Sequence, residues 1–185
     1  MISNIDLARE RYHIAKLSLF NVRLLAALQQ DKGKEINALV TYEASANGFK
    51  VMPSLLHQGT FLQFAYVCLV WLWESAKLAG LEHELLEEFP KVTERYGVKF
   101  PSPEQIQGNR NLYYWKDVLK LLRNALSHGK VDINEDVFLF FDQNTRSRTP
   151  EPERTTLSLS WEQLAKISES CIHALTPALY NGTKK

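Results

Sequence analysis

The stretch NLYYWKDVLKLLRNALSHG, Asn111 to Gly129, decides the architecture. Trp115, Val118, Leu119, Leu122, Ala125 and Leu126 recur at three- and four-residue steps, the period of a helix with one buried stripe. A helix is therefore expected from about Asn111 to His128, with Gly129 as the left-handed residue just past its end. Its final turns read Arg123-Asn124-Ala125-Leu126-Ser127-His128, a permanently charged guanidinium five positions before an imidazole.

Downstream the period changes from helical to alternating. Val137 to Phe141 and Thr155 to Leu159 read as two strands of a hairpin, which must pack on helices to be stable. Between them lies a polar loop, Asp142 to Arg154. Ser160-Trp161-Glu162-Gln163 fits a capping box, serine followed three residues later by glutamine. The closing helix then presents Trp161, Leu164, Ala165, Ser168, Cys171, Ile172 and Leu175 on one face, and residues 181–185 form a frayed tail.

Upstream, Pro53 to Ala79 is apolar nearly all round, as expected of a central helix closed by Gly80. Leu81 to Tyr96 reads as a shorter acidic helix interrupted near Pro90, and Ser102-Pro103-Glu104 as the start of one helical turn. An amphipathic helix is expected from Ile5 to Gln29, with Ile5, Ala8, Tyr12, Ala15, Leu19, Val22 and Ala26 on one side. Residues 34–52 fit either a hairpin about Asn47-Gly48 or a helix followed by a loop. The expected fold is mainly α: a bundle of about five helices with a β-hairpin insert before the last, in a single domain over residues 1–185.

Composition narrows the function. The chain has 185 residues, 45% hydrophobic and 23% charged, with a formal net charge of +1. Proteins that grip long duplex nucleic acid over their whole surface are usually more basic, so contact with RNA would be local. MISNIDLARERYHIAK lacks the basic-then-apolar order of a signal peptide. The 13-residue apolar run Phe61 to Trp73 is too short to span a bilayer. A cytoplasmic protein with no membrane partner is expected, and Cys68 and Cys171 read as small buried hydrophobes. Gly-rich phosphate loops and paired-cysteine zinc signatures do not occur, His83-Glu84-Leu85-Leu86-Glu87 lacks the second histidine of a zinc protease, and Asp132-x-Asn134-x-Asp136 is followed by Val137 where a calcium loop needs glycine. No cofactor and no metal is expected.

By spacing alone the Arg123/His128 pair is a weak signal, since about 0.2 such pairs arise by chance in a chain of this composition. Its context is more specific. An Arg-polar-x3-His sequence ending one helix of a bundle resembles the HEPN superfamily (higher eukaryotes and prokaryotes nucleotide-binding). The wording RNALSHGK, followed by a hydrophobic hairpin and a closing helix, is similar to stand-alone prokaryotic HEPN proteins. The motif covers residues 123–129, and the order of elements extends the likeness over residues 54–179.

The resemblance implies a metal-independent endoribonuclease, in the manner of toxins or phage-defence factors, with Arg123, Asn124 and His128 as catalytic residues where two copies of a homodimer meet. RNA would be the substrate and an antitoxin protein a candidate partner. The chemistry is consistent. The 2′-OH of RNA is its own nucleophile, histidine moves protons near neutrality, and arginine offers a planar fork to phosphate oxygens. Asn124 and His128 share a helical face, whereas Arg123 and His128 lie about 140° apart, so one copy presents them divergently and a two-fold axis is needed to converge them.

Other readings stay open. Arg123 would bridge an acidic side chain, Asn124 satisfy a backbone group, and His128 cap the helix end, where a cation is favoured. The same fold also serves as a non-catalytic RNA- or nucleotide-binding module beside a separate nucleotidyltransferase, or as a scaffold with no nucleic-acid role. Arg146, Arg148 and Arg154 in the hairpin loop are further candidates for gripping an RNA backbone, against a solvated loop. Tyr114, with Tyr113 and Trp115, is a candidate for stacking on bases, against helix packing. Glu74 is a candidate neighbour of the motif, with Lys77 or Lys120 as its expected partner.

Overall fold

The computed structural model describes residues 3–31, 38–42, 45, 57–134, 137–144 and 153–180. Helix α1 (Asn4–Asp31) buries Ala8, Tyr12, Ala15 and Leu19, the stripe expected from its sequence. Of the stretch 34–52, residues 38–42 are helical, and the Asn47-Gly48 turn lies outside the described residues. The central helix begins as α2 (Gln58–Tyr66), widens into a π-helical stretch (Val67–Leu72) and continues as α3 (Trp73–Leu78). Gly80 follows it at φ 74°.

Helix α4 (Glu82–Arg95) contains Pro90 and runs through it, correcting the expected interruption. Proline there removes one backbone hydrogen bond. The buried row Leu85, Phe89 and Val92 holds both halves to the core. A single 3-10 turn (Pro103–Gln105) then leads into β1 (Ile106–Gly108). Helix α5 (Trp115–Ser127) starts four residues later than expected, because the Asp117 carboxylate accepts the Tyr114 N–H at 3.2 Å and ties off the helix there.

Strands β2 (Val131–Asn134), β3 (Val137–Asn144) and β4 (Glu153–Ser160) precede α6 (Trp161–Tyr180). The expected hairpin is β3–β4, in the register Phe138↔Leu159 and Phe140↔Leu157. It forms the centre of a four-stranded antiparallel sheet, ordered β1-β4-β3-β2. Phe138, Phe140, Leu157 and Leu159 are fully buried, facing the helices. The capping box forms as read: Gln163 N–H donates to Ser160 Oγ at 3.2 Å, and Ser160 N–H to Gln163 Oε1 at 3.1 Å. One apolar cluster draws side chains from all six helices and from β3 and β4. Among the described residues, no helix is long and apolar enough to cross a membrane. The expected tail, residues 181–185, lies outside the described residues.

Two glycines separate strain from crowding. Gly129 has φ 63° with open space where a Cβ would go, whereas at Gly108, φ 128°, a Cβ would stand 2.0 Å from the Arg154 carbonyl oxygen on β4. Gly129→Ala is expected to cost about 1–2 kcal/mol in urea unfolding. Gly108→Ala should cost clearly more, and equal losses would contradict the β1–β4 contact. Burial pushes both thiols above the usual cysteine range, with the neighbouring Cys171 and Glu169 adding to the effect at Cys68. A thiol reagent such as Ellman's should label neither cysteine in the native protein and both in denaturant.

Candidate active site

The motif occupies the last turns of α5. Leu121, Leu122 and Ala125 anchor the helix in the core, Arg123 and Asn124 are half-buried at its margin, and Ser127 and His128 are exposed. The helix closes as a Schellman motif: Lys130 N–H donates to the Ala125 carbonyl at 2.8 Å and Gly129 N–H to that of Leu126 at 3.4 Å. His128 is the C-cap residue, its backbone N–H donating to the Asn124 carbonyl at 3.1 Å. Its imidazole makes no hydrogen bond among the described residues.

Arg123 is held on three sides. Its Nη1 donates to Glu74 Oε1 at 3.2 Å and its Nη2 to Asn124 Oδ1 at 3.1 Å. Its Cζ lies 5.6 Å from the ring centre of Trp73. Trp73 is wholly buried and donates its Nε1–H to Glu82 at 3.1 Å. The π-helical stretch ends immediately before Trp73 and Glu74 and re-phases the helix there, a device frequent beside functional sites. Glu74 therefore pairs with Arg123, rather than with Lys77 or Lys120 as expected. Among the described residues, two of the five guanidinium N–H groups are engaged, which leaves donors able to meet an anion.

The structure thus brings Arg123, Asn124 and Glu74 together. His128 follows Asn124 by one turn without a side-chain link to either Asn124 or Arg123 among the described residues. Tyr114 sits at the opposite end of α5, roughly 20 Å away along the helix axis. It and Tyr113 are 64% and 71% exposed, which corrects the expectation that they pack within the helix. Lys116 Nζ lies 5.1 Å from the Tyr114 ring centre. Arg154 is exposed on β4, while Arg146 and Arg148 lie outside the described residues. Sequence reasoning missed Trp73 as the platform under Arg123. Its only signal was its place next to Glu74 on an all-round apolar helix.

The Arg123 and Glu74 side chains are 23% and 46% exposed, so solvent weakens their pair to below about 1 kcal/mol. Glu74→Ala should therefore shift urea unfolding only slightly. Arg123→Ala should destabilise more, through the packing lost over Trp73. A loss of several kcal/mol from Glu74→Ala alone would mark the pair as a structural clasp.

The HEPN pEK499 p136 family model matches residues 10–176, a span running from within α1 to within α6 and including the whole motif. No curated protein matches the chain, and no solved structure does. The family match covers most of the chain and agrees with the mainly helical fold, and the chain belongs to the HEPN pEK499 p136 family.

Proposed function

We propose that the protein is a metal-independent endoribonuclease acting as a homodimer, with Arg123, Asn124 and His128 as its catalytic residues. The observation that carries this reading is the contrast at the end of α5. One guanidinium is fixed by Glu74, Asn124 and Trp73, and one imidazole nearby is exposed and without a hydrogen-bond partner among the described residues. In the reaction the 2′-oxygen attacks the adjacent phosphorus while a histidine takes its proton. The bond to the 5′-oxygen then breaks as that oxygen gains a proton, giving a 2′,3′-cyclic phosphate and a 5′-hydroxyl. Arginine stabilises the charge on the phosphoryl oxygens. Two-fold pairing supplies a second imidazole, so that one can act as base and the other as acid. Trp71, 43% exposed, and Leu78, also exposed, flank Glu74 about one turn to either side and offer apolar surface to a second copy.

A protein of this kind would serve as a cytoplasmic toxin or phage-defence component, silenced by an antitoxin protein. A second reading has its own observation. Glu74 offsets the charge of Arg123, as suits a non-catalytic RNA- or nucleotide-binding module that partners a separate nucleotidyltransferase.

Purified protein should cut single-stranded RNA in excess EDTA, and both end groups can be read from the products. His128→Ala is expected to lower the rate by about 10²–10⁴-fold, and Arg123→Ala by about 10²–10³-fold. Light scattering should report a dimer for the wild type and a shift towards monomer for Trp71→Glu. Cleavage indifferent to His128→Ala, or no cleavage of any RNA by the wild type, would remove the nuclease reading and leave the binding module.

A further inference from the structure

Two residues past His128, the chain enters a pocket on the face of the sheet turned away from the helices. The pocket measures about 350 Å³, within the range of ligand-binding clefts. The register explains its composition. Phe141 stands opposite Thr156 and Gln143 opposite Arg154, so these four side chains share the outer face. Lys130 joins them from the turn before β2, its carbonyl accepting the Phe141 N–H at 3.0 Å.

The charges are not balanced inside this pocket. Asp142, the one carboxylate among its described lining residues, alternates to the opposite face of β3, where it is bound to Arg110 Nη1 at 2.9 Å and largely buried. The Thr155 hydroxyl is also committed, donating to the Arg110 carbonyl at 3.3 Å. Lys130, Gln143, Arg154 and Thr156 have no side-chain hydrogen bond or ion pair among the described residues, and the two cations are exposed. The result is a half-buried aromatic ring bordered by an amide, a hydroxyl and two cations with no ion pair among the described residues.

We infer that this pocket is a subsite for one nucleotide of a single-stranded RNA, the one next to the phosphate held at His128, with the base on Phe141 and its backbone phosphate between Lys130 and Arg154. The inference rests on the ribonuclease reading for the identity of its ligand. Reach supports it: two residues span at most about 7 Å, the scale of one nucleotide step. Charge supports it too, since two exposed cations would face a polyanion. The half-buried Phe141 ring can stack only on a base that is free of a duplex. Gln143 and Thr156 lie beside the ring, where they can hydrogen-bond base edges and bias the nucleotide accepted.

The test uses full-length His128→Ala protein, which retains the pocket but should cut too slowly to deplete the probe, and a fluorescein-labelled ten-nucleotide RNA read by anisotropy. Adding Lys130→Ala and Arg154→Ala together is expected to weaken binding at least tenfold. It should also flatten the slope of log affinity against log salt by about 0.7, the amount for one phosphate contact on a single strand. Phe141→Leu, which keeps an apolar side chain, should weaken single-strand binding about tenfold. Unchanged affinity and salt slope in the double substitution would overturn the subsite, as would equally tight and equally sensitive binding of the same sequence as a duplex. The two readings fail separately. Wild-type cleavage with unaltered binding by these variants removes the subsite alone, whereas pocket-dependent binding without wild-type cleavage removes the nuclease alone.

Discussion

The indole of Trp73 joins the interior of this protein to its candidate site. One edge is tied by Nε1 to Glu82 at the start of α4, and the ring lies under the guanidinium of Arg123 from α5. The next residue along the chain, Glu74, fixes the rim of the same guanidinium. Three helices therefore meet on one buried side chain, and the position of the charged group follows from core packing rather than from surface contacts. A long side chain that would otherwise sample many rotamers is confined before any ligand arrives, which is the condition for electrostatic preorganisation.

Much of the architecture was legible because its signals are local. The Ser160/Gln163 box and the Gly129 stop act within a few residues, and both form as read. The apolar stripes of α1, α5 and α6 and the alternation in β4 carried the rest. Strands β1 and β2 were missed because three or four residues are too few to tell an alternation from chance. Their pairing is imposed by neighbours distant in sequence. The start of α5 was misplaced because Tyr113 and Tyr114 look like a continuation of the helix, while a single carboxylate from Asp117 sets the boundary.

The candidate site divides in the same way. Arg123, Asn124 and His128 lie within six consecutive residues and were readable as a motif once a family resemblance gave the spacing meaning. Glu74 and Arg123 are 49 positions apart, and nothing in either segment names the other. The outer sheet pocket was less legible still. Lys130 stands beside the motif in sequence, but Phe141, Gln143 and Arg154 reach it only through strand register. Arg154 was singled out as a loop residue, whereas it occupies a defined position on β4 opposite Gln143.

The π-helical stretch in the central helix has a consequence for the whole bundle. A π turn holds more residues per turn than an α-helix can, so the rows of side chains before and after it follow different azimuths. Before it, α2 lies against both α6 and α1; after it, α3 stays against α1 and meets α4. One rod thus keeps α1 along its length while exchanging α6 for α4 across the joint. The surplus residue works as a universal joint within a continuous backbone, and shortening this segment by one residue would force the helix to choose between its neighbours.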